Sequence, residues 1–255
     1  MTDKLIFLEI EQPVHYSELS PGMYTANCSG RFDAEGTRDL MRCATLSRDT
    51  GIFNGIFLGM MLPYYLHNAN NLMVGVLGNL DLAGMFMPDI EKVEPKIAGA
   101  RNATGTVVNY LREIAGAIPS CENISFDEYA VGKCLILLKA ACGRSVNSEG
   151  LDEMDLSVSL NCQHPSQAVA VVNGMAAWVV TSLGGIGTVT GSFLNGRLKL
   201  KWSKPEESGL PYMPGGENGP SILAVTGGLA ASAGMTLVVE NWTDNEGEVT
   251  LVVKQ

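Results

Sequence analysis

The sequence predicts an α+β protein: a helical hairpin that pairs with a second copy into a dimeric four-helix bundle, followed by a two-layer α/β sandwich. Three observations carry this expectation. Two segments hold an apolar seven-residue repeat and are joined by a few residues. The chain contains no further pair of such segments. Beyond Pro119 the pattern changes to apolar helices interleaved with short strands, two of which flank Asn195-Gly196.

In the first repeat Leu62, Leu66, Ala69, Met73, Val76, Leu80 and Ala83 fall at alternating spacings of four and three. In the second, Ile90, Val93, Ile97, Ala100, Thr104, Val107, Leu111, Ile114 and Ile118 do the same. Such spacing lays one apolar seam along each helix. Ile52, Phe53, Ile56, Phe57 and Met60 extend the first helix backwards, with Pro63 placed to bend it. Pro88 is placed to open the second helix. The short connection requires antiparallel helices. One hairpin cannot bury its whole seam, so the expected partner is another copy. The alternative is packing on the chain's own C-terminal half.

After Pro119, Ser125–Cys142 reads as a helix with Phe126, Tyr129, Ala130, Cys134, Leu137 and Leu138 on one side. Asp155–Cys162 alternates as a strand does. Ser166–Leu183 is a second helix, stopped by Gly184-Gly185. Thr188–Leu194 and Arg197–Lys204 form a hairpin about Asn195-Gly196, a strong signal for a tight turn. Ile222–Ala233 is a third helix ended by Gly234, and Met235–Asn241 and Glu248–Lys254 are two strands joined by a turn through Gly247. This order suggests a mixed sheet with helices on one face. The expected organisation is a segment of no assigned role at 1–37, a hairpin unit at 38–120 and a sandwich at 121–255.

Composition narrows the function. Of 255 residues, 46% are hydrophobic and 17% charged, which is globular composition. A formal net charge of −10 with no Lys/Arg cluster argues against nucleic acid or an anionic membrane surface as partner. The six cysteines form no CxxC pair, so no zinc site is expected, and Cys134 and Cys142 sit in apolar runs as small buried groups. The N-terminal stretch lacks the pattern of a signal peptide. The apolar run within 166–183 is broken by Asn173 and lacks basic flanks, so a buried helix is expected rather than a membrane span. A cytoplasmic protein is the expectation.

Three histidines are present. His15 lies in a loop-like stretch beside Pro13, and His164 precedes Pro165 at a helix start. His67 follows the seam position Leu66, with Asn70, Asn71, Val74, Gly78 and Asp81 on or near its helical face. Position alone favours a solvated histidine on a helix edge.

The local sequence is more specific. Leu66-His67-Asn68-Ala69-Asn70-Asn71-Leu72-Met73, continuing through Leu77-Gly78-Asn79, resembles the phosphoacceptor helix of histidine kinases. In one large group of these that helix reads H-D-x-N-N-L-L and then I-L-G-N-x-E-L. Ala100-Arg101-Asn102-Ala103, running to Tyr110-Leu111, resembles the second helix of the same dimerisation and phosphotransfer unit. The resemblance covers residues 60–118. More weakly, 166–183, Gly184–Val189 and Gly228–Gly234 resemble the helices and loop of the kinases' ATP-binding domain.

The departures are as informative. Asn173 falls on the first Asn of the family's metal-holding helix, but Ala177 occupies the metal-binding position. The adenine-reading Asp should lie within 200–216, a stretch without any Asp. The phosphate loop is replaced by Asn218-Gly219-Pro220-Ser221-Ile222, where Pro220 has no N–H to offer. Asn68 stands where self-phosphorylating kinases place a carboxylate base, and an amide cannot serve as one.

The resemblance therefore implies a degenerate histidine kinase acting as a histidine phosphotransferase between receiver-domain aspartates. His67 would be the nucleophile and carrier, with Asn70 and Asn71 orienting the phosphoryl group or a water. No cofactor is expected on this chain, and Mg²⁺ only on the partner receiver. A receiver phosphatase using Asn71, or a scaffold in which His67 is inert, stays open.

Overall fold

A computed structural model describes residues 51–118, 128–152, 154, 165–194, 196–205, 219–240, 242, 243 and 245–253. The expectations for 1–37, His15, His164 and the strand at 155–162 lie outside these residues, as does most of the stretch searched for an adenine-reading Asp.

The chain opens its described part with a long helix, α1 (Gly51–Phe86), and a second, α2 (Ile90–Ala117). Only Met87, Pro88 and Asp89 separate them. Asp89 occupies the N-cap position, its amide bonded to the Phe86 carbonyl at 2.7 Å, so α2 begins two residues after Pro88. The helices run antiparallel: Gly75 faces Ala103, and Gly99 faces Asn79. Both helices contain an internal proline, Pro63 and Pro95.

The two seams divide by heptad position. Val76 and Ala83 of α1 and Ala100 and Val107 of α2 are buried between the two helices, with Ala69, Val93 and Ile114 half-buried in the same register. The alternate positions Leu66, Met73, Leu80, Ile90, Ile97, Leu111 and Ile118 are exposed. From Ala69 onward one heptad position thus closes the hairpin and the other remains open, while Leu62, in the closing register, is exposed.

The sandwich follows. Helix α3 (Glu128–Cys142) ends at Gly143, whose φ of +66° suits a left-handed terminus. A two-residue strand β1 (Val146–Asn147) and a 3₁₀ turn at Glu149–Leu151 come next. Then come α4 (Pro165–Leu183), β2 (Gly187–Leu194), β3 (Arg197–Ser203), α5 (Gly219–Ser232), β4 (Met235–Glu240) and β5 (Glu246–Val253). The sheet order is β1-β2-β3-β5-β4, with β1 parallel to β2 and the other pairs antiparallel. The short strand β1 was not expected.

The turn chemistry sets these boundaries. Gly184 and Gly185, at φ +64° and +97°, stop α4. Leu194 pairs with Arg197 across a two-residue turn whose second residue, Gly196, has φ +71°. Pro220 falls in the first turn of α5, where a missing N–H costs no helical bond. Gly247 corrects the sequence reading: it lies inside β5 opposite Trp202, not in the turn. A Cβ there would stand 2.6 Å from the Trp202 indole nitrogen and 2.8 Å from the Trp178 ring, so only glycine lets the strand pass beneath the tryptophans.

The sheet is one-sided. Val189, Phe193, Leu198, Leu200, Trp202, Leu237, Val249 and Leu251 are buried toward the helices. Thr190, Ser192, Arg197 and Lys201 on the other face are exposed. Trp178 meets Trp202 and Trp242 edge-on, with ring centres 5.9 and 5.6 Å apart. Helix α4 is long and apolar enough to cross a bilayer, yet 94% of its apolar window is buried inside the protein. The same core takes in Phe53, Phe57, Met61, Tyr64 and Tyr65. The first part of α1 therefore packs with the sandwich, and the rest of α1 with α2.

Candidate functional site

Where α1 leaves the sandwich core it presents the residues singled out above. Tyr64 and Tyr65 still face inward, and Leu66 falls on the open seam. His67 follows it and is exposed, as are Asn70 and Asn71. His67 and Asn71 lie one turn apart on one helix face. Among the described residues none hydrogen-bonds to the side chains of His67, Asn70 or Asn71. The helix presents them without engaging them.

Beside this face is a groove of about 420 Å³ between the hairpin and the end of α3. Asn68, Asn71 and Leu72 of α1 line one wall, Asn109, Tyr110 and Glu113 of α2 another, and Lys139, Ala140, Gly143 and Arg144 the third. Asn71 therefore reaches the groove, whereas His67 and Asn70 are not among the residues that line it. Lys139 is ion-paired with Asp152. The groove carries two cationic groups and one carboxylate, against a chain whose formal net charge is −10.

The groove's back wall is held by hydrogen bonds that cross from hairpin to sandwich. The Asn68 amide nitrogen donates to the carbonyls of Ala140 at 2.9 Å and Ala141 at 3.0 Å. The Tyr110 hydroxyl donates to the Ala140 carbonyl at 2.9 Å, with the Tyr65 carbonyl 3.3 Å away. The Tyr65 hydroxyl donates to the Leu137 carbonyl at 3.2 Å. Burial pushes the Tyr65 phenol well above its usual range, with neighbouring Tyr110 adding to the shift. Burial raises Tyr110 also, with the neighbouring Asn68 side chain pulling the other way. Both phenols are thus kept protonated as donors.

Two of the positions compared above with a nucleotide site, Asn173 and Ala177, are interior. Asn173 is fully buried, and its amide donates to the Asn54 side chain on α1 at 2.9 Å. Ala177 is fully buried beside Trp178. Among the described residues no three His, Cys, Asp or Glu side chains cluster as metal ligands. Sequence reasoning named His67, Asn70 and Asn71 but missed Tyr65, Tyr110, Lys139 and Arg144. The last two lie in and just past α3, more than seventy residues on from His67. Nothing local announces that α3 returns to this face.

No protein-family profile matches the sequence, and no curated protein matches it. Among solved structures the chain is similar to one described as a bacterial phosphotransferase, with TM-score 0.41 and 14% identity over 76% of this chain and 95% of that one. It is also similar to the Acinetobacter baumannii histidine kinase AdeS, with TM-score 0.34 and 15% identity over 74% and 98% of the two chains. A histidine kinase from Burkholderia phymatum STM815 gives TM-score 0.40 and 11% identity over 80% and 97%. Likeness this low carries no chemistry from those proteins to this chain.

Proposed function

We propose that this chain is a phosphorelay component of two-component signalling: a dimeric histidine phosphotransferase that carries phosphate on His67 between receiver-domain aspartates. The observation that carries the proposal is the placement of His67. It stands exposed and unengaged on α1, in a sequence block that resembles a phosphoacceptor helix, next to an open apolar seam.

The chemistry asks little of this chain. One ring nitrogen of neutral His67 attacks the phosphorus of the partner's aspartyl phosphate. The P–N bond forms as the bond from phosphorus to the aspartyl oxygen breaks, and the carboxylate leaves with the bonding pair. Mg²⁺ held by the receiver would supply the positive charge that offsets the phosphoryl oxygens. The proton on the other ring nitrogen stays in place, so no base is required and Asn68 is tolerated beside the histidine. Asn70 and Asn71 orient the phosphoryl oxygens by donating from their amides. Return transfer to a second aspartate reverses these steps.

The exposed alternate seam supports a homodimer: Leu66, Met73, Leu80, Ile97 and Leu111 form an apolar stripe for which a second hairpin is the matching cover. The same proposal gives the chain no nucleotide of its own, supported by buried Ala177 at the metal position and Pro220 in the phosphate loop. It takes the cytoplasm as the compartment, with α4 buried in the core.

The test is incubation with a phosphorylated receiver domain, followed by detection of acid-labile phosphate on this chain. Uptake at His67 is expected. Failure to take phosphate from any of a panel of receivers overturns the proposal. A phosphatase reading is favoured by one observation, the entry of Asn71 into the groove, where its amide can align a water. It wins if receiver dephosphorylation needs Asn71 but not His67.

A further inference from the structure

Asn68 is where the sequence differs from the kinase pattern at the residue beside the histidine, and absence of a base is only half of its meaning. An amide nitrogen has two hydrogens, and here each meets a carbonyl at the end of α3, those of Ala140 and Ala141. These belong to the last turn of α3, where carbonyls lack intrahelical donors. Asn68 thus caps α3 from another helix. A carboxylate of the same shape would place negative oxygens against those carbonyls and donate nothing.

Two further features fit this side chain. Gly143, at φ +66°, ends α3 against it, and a Cβ there would stand 2.3 Å from the Asn68 oxygen. Tyr110 donates to one of the same carbonyls from α2. Three helices therefore converge on one turn of backbone, one residue past His67.

We infer that Asn68 is a positioning residue whose amide fastens the sandwich to the hairpin, making the groove beside His67 a rigid surface built from both parts of the chain. The coupling to phosphotransfer rests on the function proposed above; the fastening does not. A partner that docks at His67 meets Lys139 and Arg144 in fixed positions, with no ordering of the sandwich required at the encounter.

The test compares Asn68→Asp and Asn68→Leu, both close to asparagine in size and both without donors. Amide hydrogen exchange of the 140–145 segment in the full chain should accelerate about tenfold in each, the loss expected when a helix end gives up its hydrogen bonds. Tyr110→Phe, which deletes one hydroxyl, should accelerate it by about threefold. Unchanged exchange in all three variants overturns the fastening. Because the Leu side chain cannot pair with Lys139 or Arg144, a loss seen with Asp alone would point to charge in the groove and also overturns it. For function, phosphorylation of His67 by phosphoramidate, a small donor that needs no docking surface, should be unchanged in Asn68→Leu. The KM for a phosphorylated receiver should rise about tenfold with kcat little altered. A fall in kcat for both donors would assign Asn68 to the chemistry and overturn the positioning role. If no receiver transfers to wild type either, the proposed function fails while the exchange result still decides the fastening.

Discussion

His67 owes its proposed role to exposure and to the small neutral groups around it. Replacement by glutamine keeps a polar side chain of similar reach, so the surface that meets a receiver is preserved. His67→Gln should therefore bind a receiver with wild-type affinity, measured calorimetrically, and take up no phosphate; loss of binding would mean that the imbalance lies in folding, not chemistry. His15→Gln and His164→Gln should behave as wild type in the same assay. Asn71→Ala should slow transfer by about a hundredfold to a thousandfold if its amide steadies the phosphoryl group, the scale on which a single preorganised donor acts. A second residue-scale expectation concerns the thiols of α3. Burial pushes Cys134 and Cys142 up to about 12, so neither forms thiolate near neutral pH. Mass-spectrometric mapping after brief alkylation at pH 8 should find both unlabelled in native protein and labelled in denaturant.

The helices show how one repeat serves two purposes. A seven-residue pattern declares a seam but does not say which of its two core positions faces the neighbouring helix and which the second hairpin. The structure assigns Val76, Ala83, Ala100 and Val107 to the first task and leaves Met73, Leu80, Ile97 and Leu111 open. Substitutions can separate the two. Met73→Lys with Leu80→Lys should give a monomer near 27.2 kDa by light scattering with little loss of helix. Val76→Lys places a charge between α1 and α2 and should destabilise the hairpin itself, by roughly 3–5 kcal/mol. If Met73→Lys with Leu80→Lys leaves the assembly unchanged, the open stripe is not the dimer contact. At this scale the sequence was legible wherever local pattern decides the element. The heptads, the double glycine after α4 and Asn195-Gly196 each mark their boundary without help from distant residues. It was silent on β1, whose two residues become a strand by pairing with β2 across forty residues of chain. It also misplaced Gly247, because a glycine between polar residues reads as a turn unless the tryptophans above it are known. The site was half legible for the same reason: His67, Asn70 and Asn71 lie within one helix, whereas Lys139, Arg144 and Tyr110 are brought there by tertiary packing.

For the molecule as a whole, the packing of Gly247 under Trp178 and Trp202 is a close constraint on the sandwich. Gly247→Ala should cost about 1–3 kcal/mol by overpacking, read as a lowered midpoint in urea with native-like secondary structure before the transition. A variant as stable as wild type would show that the tryptophans can yield. The larger constraint is α1, which spans about 54 Å at 1.5 Å per residue and lends its first turns to a core completed by α4. Its contact from Asn54 to Asn173 joins residues 119 apart in sequence. On the ribosome, at about 5–20 residues per second, Phe53, Phe57 and Met61 emerge some six to twenty-four seconds before the helix that covers them. During that interval the nascent chain shows an apolar belt to solvent, so its yield in a cell should depend on what shields that belt while synthesis catches up.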